Sequence, residues 1–482
     1  MRMPSTKSFA PPRARRFEVV NTCGECGECE TGKECDPVRG PLRSYTGLRC
    51  TSDGFDCALP VAVDSHSVCS FACRYCFSDN LLSHRDARGR SVGQTSLSVL
   101  EGVFSGSRKF SQDFHQALRY DKKKNGYPCP IQLGAINEPF DNIERQQGWF
   151  FGFADLVYKY KQPVRVSTKA KLLQRPDYLK KIGEHPELWW FAFSIITPDD
   201  EILEKVDWRA PNASERFKSM KCLSDIGVKT SLRFRPILPG ISDRTKKFPK
   251  AYKVLIQKAA EAGAKAISYE VGFVPGGMTV DLKRRWKILE QIAGVPFIQL
   301  YKSFGGLQSC IRPPYEWTEN IMHAIYEEAK KCGMTVGVSD PVWKQLTESG
   351  CCCGILPDDP VFGNWEPENA TNMLLKSKKT GCTIEARDII PPWAYTAKLD
   401  GMVNPGVGPK VNWDRRHETW ADRLWGTWNI TSGQRSPLNY FQGALMPVKK
   451  EPSTFRKGGL EIIYKYVGLQ RKRPECIPYW RI

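Results

Sequence analysis

The sequence predicts an α/β fold: a partial TIM-type (β/α)6 barrel, preceded by a Cys-rich segment and followed by a basic, Trp-rich region. Three observations predict it. From Ala58 onward, short apolar runs alternate with segments of helical pattern, which is the mark of parallel β/α units. Polar residues gather just after the apolar runs, where barrels of this type place their active sites. No G-x-G-x-x-G follows the first run, which ranks an open doubly wound sheet second. The first strand is expected at 58–63, feeding a cysteine loop, with a helix at 96–104 after it. The second strand, 131–135, ends in Asn137-Glu138-Pro139, and an aromatic-rich helix follows at 148–160. The third, 164–167, ends at Thr168-Lys169 before a short helix at 177–182. The fourth, 190–196, carries Ser194 and Thr197 at its end. A helix at 214–226 takes Ser214 as its N-cap and Gly227 as its stop. The fifth strand, 229–237, stops at Pro239-Gly240, and a helix at 250–262 leads to the sixth strand, 264–273. A helix at 318–331 and a strand at 335–338 read as one more unit.

At 482 residues the chain is long enough for a large core and two or more domains. The expected division is 1–57, a basic arm and Cys-rich segment; 58–275, the barrel; 276–390, an extension containing Cys351 to Cys353; and 391–482, the basic aromatic region. The formal charge of +19, from 71 Lys plus Arg against 52 Asp plus Glu, favours a polyanionic partner, with DNA first and RNA second. A merely soluble basic protein is the competing reading. From Met402 the chain holds 14 Lys plus Arg against 6 Asp plus Glu, interleaved with Trp413, Trp420, Trp425, Trp428 and Trp480. Such a mixture can grip phosphates and stack bases, or else form a small core with a solvated face. The longest apolar run, 189–196, falls well short of the roughly 20 residues of a membrane span, so no membrane association is expected. The first residues carry Arg13, Arg15 and Arg16 without an apolar core, which does not read as a secretory signal, and the expected location is the cytosol.

Eighteen cysteines without such a signal point to metal chemistry rather than disulfides. Cys69, Cys73 and Cys76 stand at C-x3-C-x2-C on the loop after the first strand. Three thiolates can hold three irons of a 4Fe–4S cluster and leave the fourth iron open for a ligand. A zinc knuckle is the alternative, but zinc wants a fourth protein ligand close by. Cys23, Cys26, Cys29 and Cys35 stand at C-x2-C-x2-C-x5-C, close to the ferredoxin run, and can close an auxiliary iron–sulfur cluster or a structural zinc site. Cys50 and Cys57 are substitutes for one of the four. Cys351-Cys352-Cys353, with Cys382 or Cys310, either joins a further metal site or is buried as small residues.

The first cysteine loop, with Tyr75 directly before its third cysteine, resembles the signature of the radical SAM superfamily. From that loop to about Gly240 the chain resembles the spore photoproduct lyase and DNA-photolyase-like branch. The supporting stretches are CSFACRYCF, GAINEPFDNIE, VSTKA, FAFSIITPDDEIL and RAPNASERFKSMKCLSDIGVKTSLRFRPILPGISD. The resemblance implies a radical SAM barrel in which Cys69, Cys73 and Cys76 hold the cluster and S-adenosylmethionine chelates its open iron. It also implies that Tyr75 lies against the adenine, that Asn137 and Glu138 contact the methionine end, and that Lys169 and Ser194 bind the carboxylate and ribose. An electron donor such as flavodoxin or ferredoxin is implied with it. The branch carries a hydrogen-donating cysteine near the end of the second strand, where this chain has Ala135. Cys129, before that strand, could replace it only if its loop folded back.

The resulting expectation is an enzyme that forms a 5′-deoxyadenosyl radical and modifies or isomerises a substituent on a pyrimidine base in DNA. It resembles in this the radical SAM isomerases of bacteriophage thymidine hypermodification. Thymine-dimer repair is the second reading, and a non-enzymatic, metal-stabilised nucleic-acid-binding module the third.

Overall fold

The computed structural model describes residues 43–45, 47–50, 59, 61–71, 73–76, 92–107, 126–275, 280–302, 310–311, 313–349, 351–363, 369–389, 437–441, 443–453 and 458–468, with positions 114, 115, 118, 425, 428 and 429. Eight strands form its main sheet: β1 Leu48–Cys50, β2 Val61–Val63, β3 Ile131–Leu133, β4 Val164–Thr168, β5 Trp189–Ser194, β6 Lys229–Ile237, β7 Ala264–Val271 and β8 Thr335–Val338. Their order in the sheet is their order in the chain. β2 to β8 are all parallel, and β1 lies antiparallel on the β2 edge. A doubly wound sheet reverses its strand order at a switch point. Here every strand adds on the same side, so the crossovers wind one way, as in a partial TIM-type barrel. The expected seventh unit is present as β8, after a helix at Tyr315–Lys331.

Alternation along the strands separates an apolar outer face from a polar lumen. On β4, Val164 and Val166 are fully buried in the core, while Arg165 and Ser167 bond each other across the inner face. On β6, Leu232 and Phe234 join the core, while Arg233 and Arg235 alternate with them. β5 is buried along its whole length, as a central strand covered on both faces must be. Trp189 and Phe191 meet the Phe150 and Phe140 rings of the helical layer at 5.3 and 6.0 Å, whereas the inward Trp190 donates through Nε1 to Ser231 Oγ at 3.1 Å.

Local chemistry sets the helix ends. The aromatic-rich stretch after β3 makes two helices, α1 Asn142–Gln147 and α2 Trp149–Tyr160, broken at Gly148, whose φ of 62° suits glycine. Asp141 caps α1 by accepting from Ile143 N at 2.9 Å. The run expected at 214–226 is α4 Ala213–Asp225, and its cap is Asn212, which accepts from Glu215 N at 2.9 Å. Ser214 is inside the helix; its hydroxyl bonds Asp200 instead. The stop is where expected, with Gly227 at φ 84° donating to Ser224 O. A helix missed by the periodicity, α3 Asp200–Val206, follows β5 and is capped by Asp199.

Beyond β8 a helix at Ala370–Thr380 and three antiparallel strands, Thr383–Ile384, Leu445–Pro452 and Leu460–Tyr466, extend the same apolar core. Trp428 belongs to this layer. It is 2 % exposed, donates through Nε1 to Ile462 O at 2.9 Å and meets the Tyr464 ring at 5.0 Å. That tryptophan is core and is not available to stack a base; Trp413, Trp420 and Trp480 lie outside the described residues. Among the described residues no helix is long and apolar enough to cross a membrane.

Candidate functional site

The C-terminal ends of β2, β3, β4 and β5 meet around the loop that carries Cys69, Cys73 and Cys76. That loop is held by backbone and charged contacts as well as by Val68 and Tyr75, which pack against apolar neighbours. Ser70 N donates to Asp141 Oδ2 at 2.8 Å, so the carboxylate that caps α1 also fixes the start of the loop. Arg74 N donates to Val206 O at 3.0 Å and Arg74 Nε to Lys205 O at 2.7 Å, which ties the middle of the loop to the last turn of α3. Cys73 pairs with Asp207 as an isolated antiparallel bridge, and Cys76 N closes a turn onto Cys73 O at 3.2 Å. Asp207 in turn forms a fully buried ion pair with Arg216 of α4, Oδ2 to Nη1 at 2.7 Å. Arg216 also donates to Ser194 O at 2.7 Å and Pro211 O at 2.8 Å. One arginine therefore joins the end of β5 to the segment behind the cysteines.

The residues at the strand ends surround this loop. Gly134, at φ 72°, turns the chain out of β3; a Cβ there would come within 2.6 Å of Pro139. Asn137 Nδ2 donates to Ser65 Oγ at 3.2 Å and His66 O at 3.0 Å, while its Oδ1 is buried without a partner. Glu138 is saturated: Oε1 accepts from Thr168 Oγ1 at 2.6 Å and Phe140 N at 3.2 Å, and Oε2 from Lys169 N at 2.8 Å. The Lys169 ammonium sits 5.5 Å from the centre of the Tyr75 ring. Burial, reinforced by the neighbouring Asp207 carboxylate, pushes the Tyr75 hydroxyl well above the ordinary tyrosine value. Ser194 Oγ accepts from Arg233 Nη1 at 3.3 Å.

Burial and charge set the protonation of the site. Burial, reinforced by Asp207, pushes the Cys73 thiol well above its ordinary value, with Lys169 opposing. Burial works against the Lys169 ammonium, but Cys73 and Asp207 outweigh it and hold Lys169 above the usual lysine value. Burial would raise Asp207, yet Lys169 and Arg216 more than offset it, so Asp207 stays below the usual carboxylate range. Burial pushes Glu138 and Glu144 each up to about 7. His66, 3.2 Å from Asp141 Oδ1, is held above its ordinary value because Asp141 outweighs the effect of burial.

A pH dependence follows with a definite sign. Glu138, Glu144 and His66 all bind their protons more tightly folded than unfolded. Their contribution is complete below the unfolded values and is lost as pH rises through the folded ones. Asp141 and Asp207 are depressed, so theirs is already complete above the ordinary carboxylate pKa. Between about pH 5 and about pH 8 the raised groups dominate, and Tm should fall by several degrees across that interval. Thermal unfolding at constant ionic strength checks this; a Tm that rises over the interval contradicts the assignment.

A 4Fe–4S cluster fits the loop by donor chemistry. Three soft thiols share one short segment. Cys69 and Cys76 are partly exposed, Cys73 is buried, and the Cys73 thiol feels both of the others electrostatically. Among the described residues no three His, Cys, Asp or Glu side chains are grouped as a single metal ion requires; cluster thiolates each hold a different iron and stand wider apart. Asn137 Oδ1, buried and without a partner, is left for a small polar ligand.

Cys129 is not brought to this mouth. It precedes β3, at the opposite end of the parallel strands, and is 1 % exposed. Its amide donates to Leu118 O, and its carbonyl accepts from Gln162 Nε2 at 2.7 Å. The fold-back that a hydrogen-donor role needs does not occur, because this backbone is tied into the base of the barrel. Cys23, Cys26, Cys29 and Cys35 lie outside the described residues. The thiols of Cys351 to Cys353 face one another and Arg235, Arg165 and Lys344. Sequence reasoning missed Asp207 and Arg216: they pair with each other nearby in the chain, but the cysteine loop they support is distant from them. It also missed Trp208, 40 % exposed, with the Arg74 and Arg209 guanidiniums 5.9 and 4.8 Å from its ring. A tryptophan set between Asp207 and Arg209, on no apolar face, was the available signal.

No family model matches the chain. Over 214 residues it is 22% identical to uncharacterized proteins of Mycobacterium bovis and Mycobacterium tuberculosis, a stretch that covers 44% of this chain and 58% of theirs. The chain thus spans less than two thirds of the curated relatives it matches. Among solved structures it is similar to spore photoproduct lyase, including a complex with dinucleoside spore photoproduct, at 14% identity and a TM-score of 0.44, covering 62% of this chain and 80% of that one. It is also similar to Streptococcus suis SuiB bound to the precursor peptide SuiA, at 11% identity and a TM-score of 0.34, covering 59% and 50%.

Proposed function

We propose that this protein is a radical SAM enzyme that modifies or isomerises a substituent on a pyrimidine base, thymine foremost, in DNA. The observation that carries the proposal is the placement of Cys69, Cys73 and Cys76 on one loop at the barrel mouth, with Asn137, Lys169 and Ser194 at the neighbouring strand ends. When bound, the cluster and S-adenosylmethionine supply a 5′-deoxyadenosyl radical that abstracts a hydrogen atom. The chain's own part is to bind and orient. Cys69, Cys73 and Cys76 hold the cluster. Lys169, kept charged by its surroundings, answers a carboxylate. Asn137 Oδ1 is an acceptor for an ammonium, and the Tyr75 ring lies beside the Lys169 ammonium. Glu138 acts as a positioning residue: with both oxygens engaged, it fixes the Lys169 backbone. Cys23, Cys26, Cys29 and Cys35 are the proposed ligands of an auxiliary cluster or zinc, and a flavodoxin or ferredoxin the proposed electron donor.

Ala135 at the mouth and Cys129 at the base favour modification or isomerisation over dimer repair, which needs a hydrogen donor near the product radical. A polynucleotide partner is supported by the rim. Trp208 beside Arg74 and Arg209, with Arg285 Nη1 reaching Cys73 O at 3.5 Å, sets an exposed aromatic face among cations next to the cysteine loop. A target base must leave the duplex to reach such a site, and an exposed indole can stack on it. Trp208→Ala should therefore weaken single-stranded DNA binding by about 1–3 kcal/mol with little change in salt slope. Fluorescence anisotropy at two salt concentrations measures both; an unchanged affinity removes the platform. The function itself is tested by anaerobic turnover of the reconstituted protein with DNA, followed by mass spectrometry of the digested nucleosides. Formation of 5′-deoxyadenosine without any altered pyrimidine would reject the substrate, and no 5′-deoxyadenosine would reject the enzyme.

A further inference from the structure

The lumen beneath the mouth holds more positive charge than the carboxylates facing it answer. Arg165 on β4 donates through Nη1 to Gln132 Oε1 at 2.8 Å and Ser167 Oγ at 2.5 Å; its buried Nε has no partner. Arg235 on β6 donates through Nη2 to Ser268 Oγ and the Cys352 carbonyl, and its Nε also has no partner. Arg233, between them, reaches only the Ser194 hydroxyl, a neutral group. Among the described residues the carboxylate facing these three guanidiniums is Glu270, 3.9 Å from Arg235 Nη1. Asp207 cannot serve them, since Arg216 and Lys169 already claim it. Burial, then Arg235 and Arg165, push Arg233 down to about 10 against Glu270 and Cys353, whereas for Arg235 burial is outweighed by Cys352, Glu270 and Cys353. Enclosed charges are ordinarily paired. Nor is the group sealed in the core, because Arg233, Arg235, Glu270 and Ser167 are all partly exposed.

Register places this cluster beside the proposed cofactor residues. Arg233 is opposite Ser194 on β5 and Ser268 on β7, and Lys169 follows Thr168, which is opposite Phe193. An anion held there would lie next to Lys169 and Ser194, inside the barrel. We propose that Arg233 and Arg235, backed by Arg165, form a subsite for an anionic group of the substrate, a carboxylate or a phosphate. Guanidinium forks suit both, since each offers paired oxygens to parallel N–H donors. The inference rests on the pyrimidine reading above and deepens it: the base, or the nucleotide bearing it, presents an acidic group to the lumen.

The test is equilibrium binding by calorimetry to the full-length reconstituted protein. The probes are 5-hydroxymethyl-2′-deoxyuridine, its 5-carboxy counterpart, its phosphate ester on the 5-hydroxymethyl group, thymidine 5′-monophosphate, and inorganic phosphate and acetate alone. At least one acidic nucleoside should bind roughly ten- to hundredfold tighter than the neutral one, the range of a charge-assisted contact. Which acidic nucleoside gains says whether the anion is on the base or on the backbone. Arg233→Gln should erase the gain; this side chain has one hydroxyl partner, so its loss disturbs the fold less than that of Arg235, and a Tm measurement controls for unfolding. If Arg233→Gln unfolds, Arg233→Lys must keep part of the preference. Nucleosides that bind with no acidic preference overturn the subsite and leave the pyrimidine reading intact. Phosphate or acetate binding that is lost in Arg233→Gln, with no nucleoside binding, supports the subsite and overturns the pyrimidine reading. Binding of nothing overturns the subsite.

Discussion

Arg216→Ala should destabilise the folded protein by about 3–5 kcal/mol, the usual consequence of leaving a buried charge without its partner. Asp207 and Arg216 are both fully buried at 2.7 Å, and the arginine additionally satisfies the carbonyls of Ser194 and Pro211. Removing it orphans a carboxylate and two carbonyls at once. Burial would then push Asp207 up and favour its protonation, with Lys169 and the Tyr75 hydroxyl left to oppose. The loss should therefore be smaller at pH 4 than at pH 7. Asp207→Asn tests the other side of the pair: it keeps the volume, strands the guanidinium, and should cost less than Arg216→Ala because two of the three arginine contacts survive. Urea unfolding followed by tryptophan fluorescence measures both. A cost below about 1 kcal/mol for Arg216→Ala would mean that the pair is solvated in solution. A lost pair should also loosen the cysteine loop, since Cys73 bridges to Asp207 itself.

β5 was legible because a parallel strand buried on both faces reads as an apolar run, whereas Arg165 on β4 and Arg233 and Arg235 on β6 interrupt theirs. β8 has the predicted bounds, and β6 and β7 start where predicted. The helix at Val280–Ala293 was missed although Leu282, Trp286 and Leu289, all buried, follow helical spacing; the signal was present among many charged neighbours. The strand Leu445–Pro452 carried no such signal. It lies at the edge of its sheet, is exposed along most of its length and reads LMPVKKEP, so no period of two marks it.

The candidate site divides in the same way. Its cysteines, Asn137, Glu138, Lys169 and Ser194 were legible because strand ends announce themselves as polar residues after apolar runs. What holds them was not. Asp207 lies more than a hundred residues from Cys73 and is delivered by α3, a helix whose one clear cue is the acidic start Asp199-Asp200-Glu201. Glu138 illustrates the difference between position and role. Its place at the end of the second strand was expected, with a contact to the methionine end, yet both its oxygens are engaged by Thr168, Phe140 and Lys169, so it braces the lysine. Only the folded chain shows that Asn137 Oδ1 remains open while both Glu138 oxygens are engaged.

Replacing Cys69, Cys73 and Cys76 together with Ala should abolish 5′-deoxyadenosine formation and lower the iron content of the reconstituted protein by about four per chain. The side chains are one methyl-sized step smaller, and the loop is fixed by Ser70, Arg74 and the Cys73 backbone rather than by the sulfurs. The variant should therefore fold, with a Tm near that of the parent before reconstitution. This separates a chemical loss from a structural one. Iron that remains afterwards reports on the other proposed ligands: about four would indicate a second cluster, assigned to Cys23, Cys26, Cys29 and Cys35 if removing residues 1–57 abolishes it, whereas zinc in its place would indicate a structural site. The expected electronic absorption follows, with the broad band near 400 nm reduced by about half if two clusters were present and lost if there was one. The outcome that sinks the reading is continued cleavage of S-adenosylmethionine in the triple variant, since no thiol set at the barrel mouth would then hold the iron that the chemistry needs.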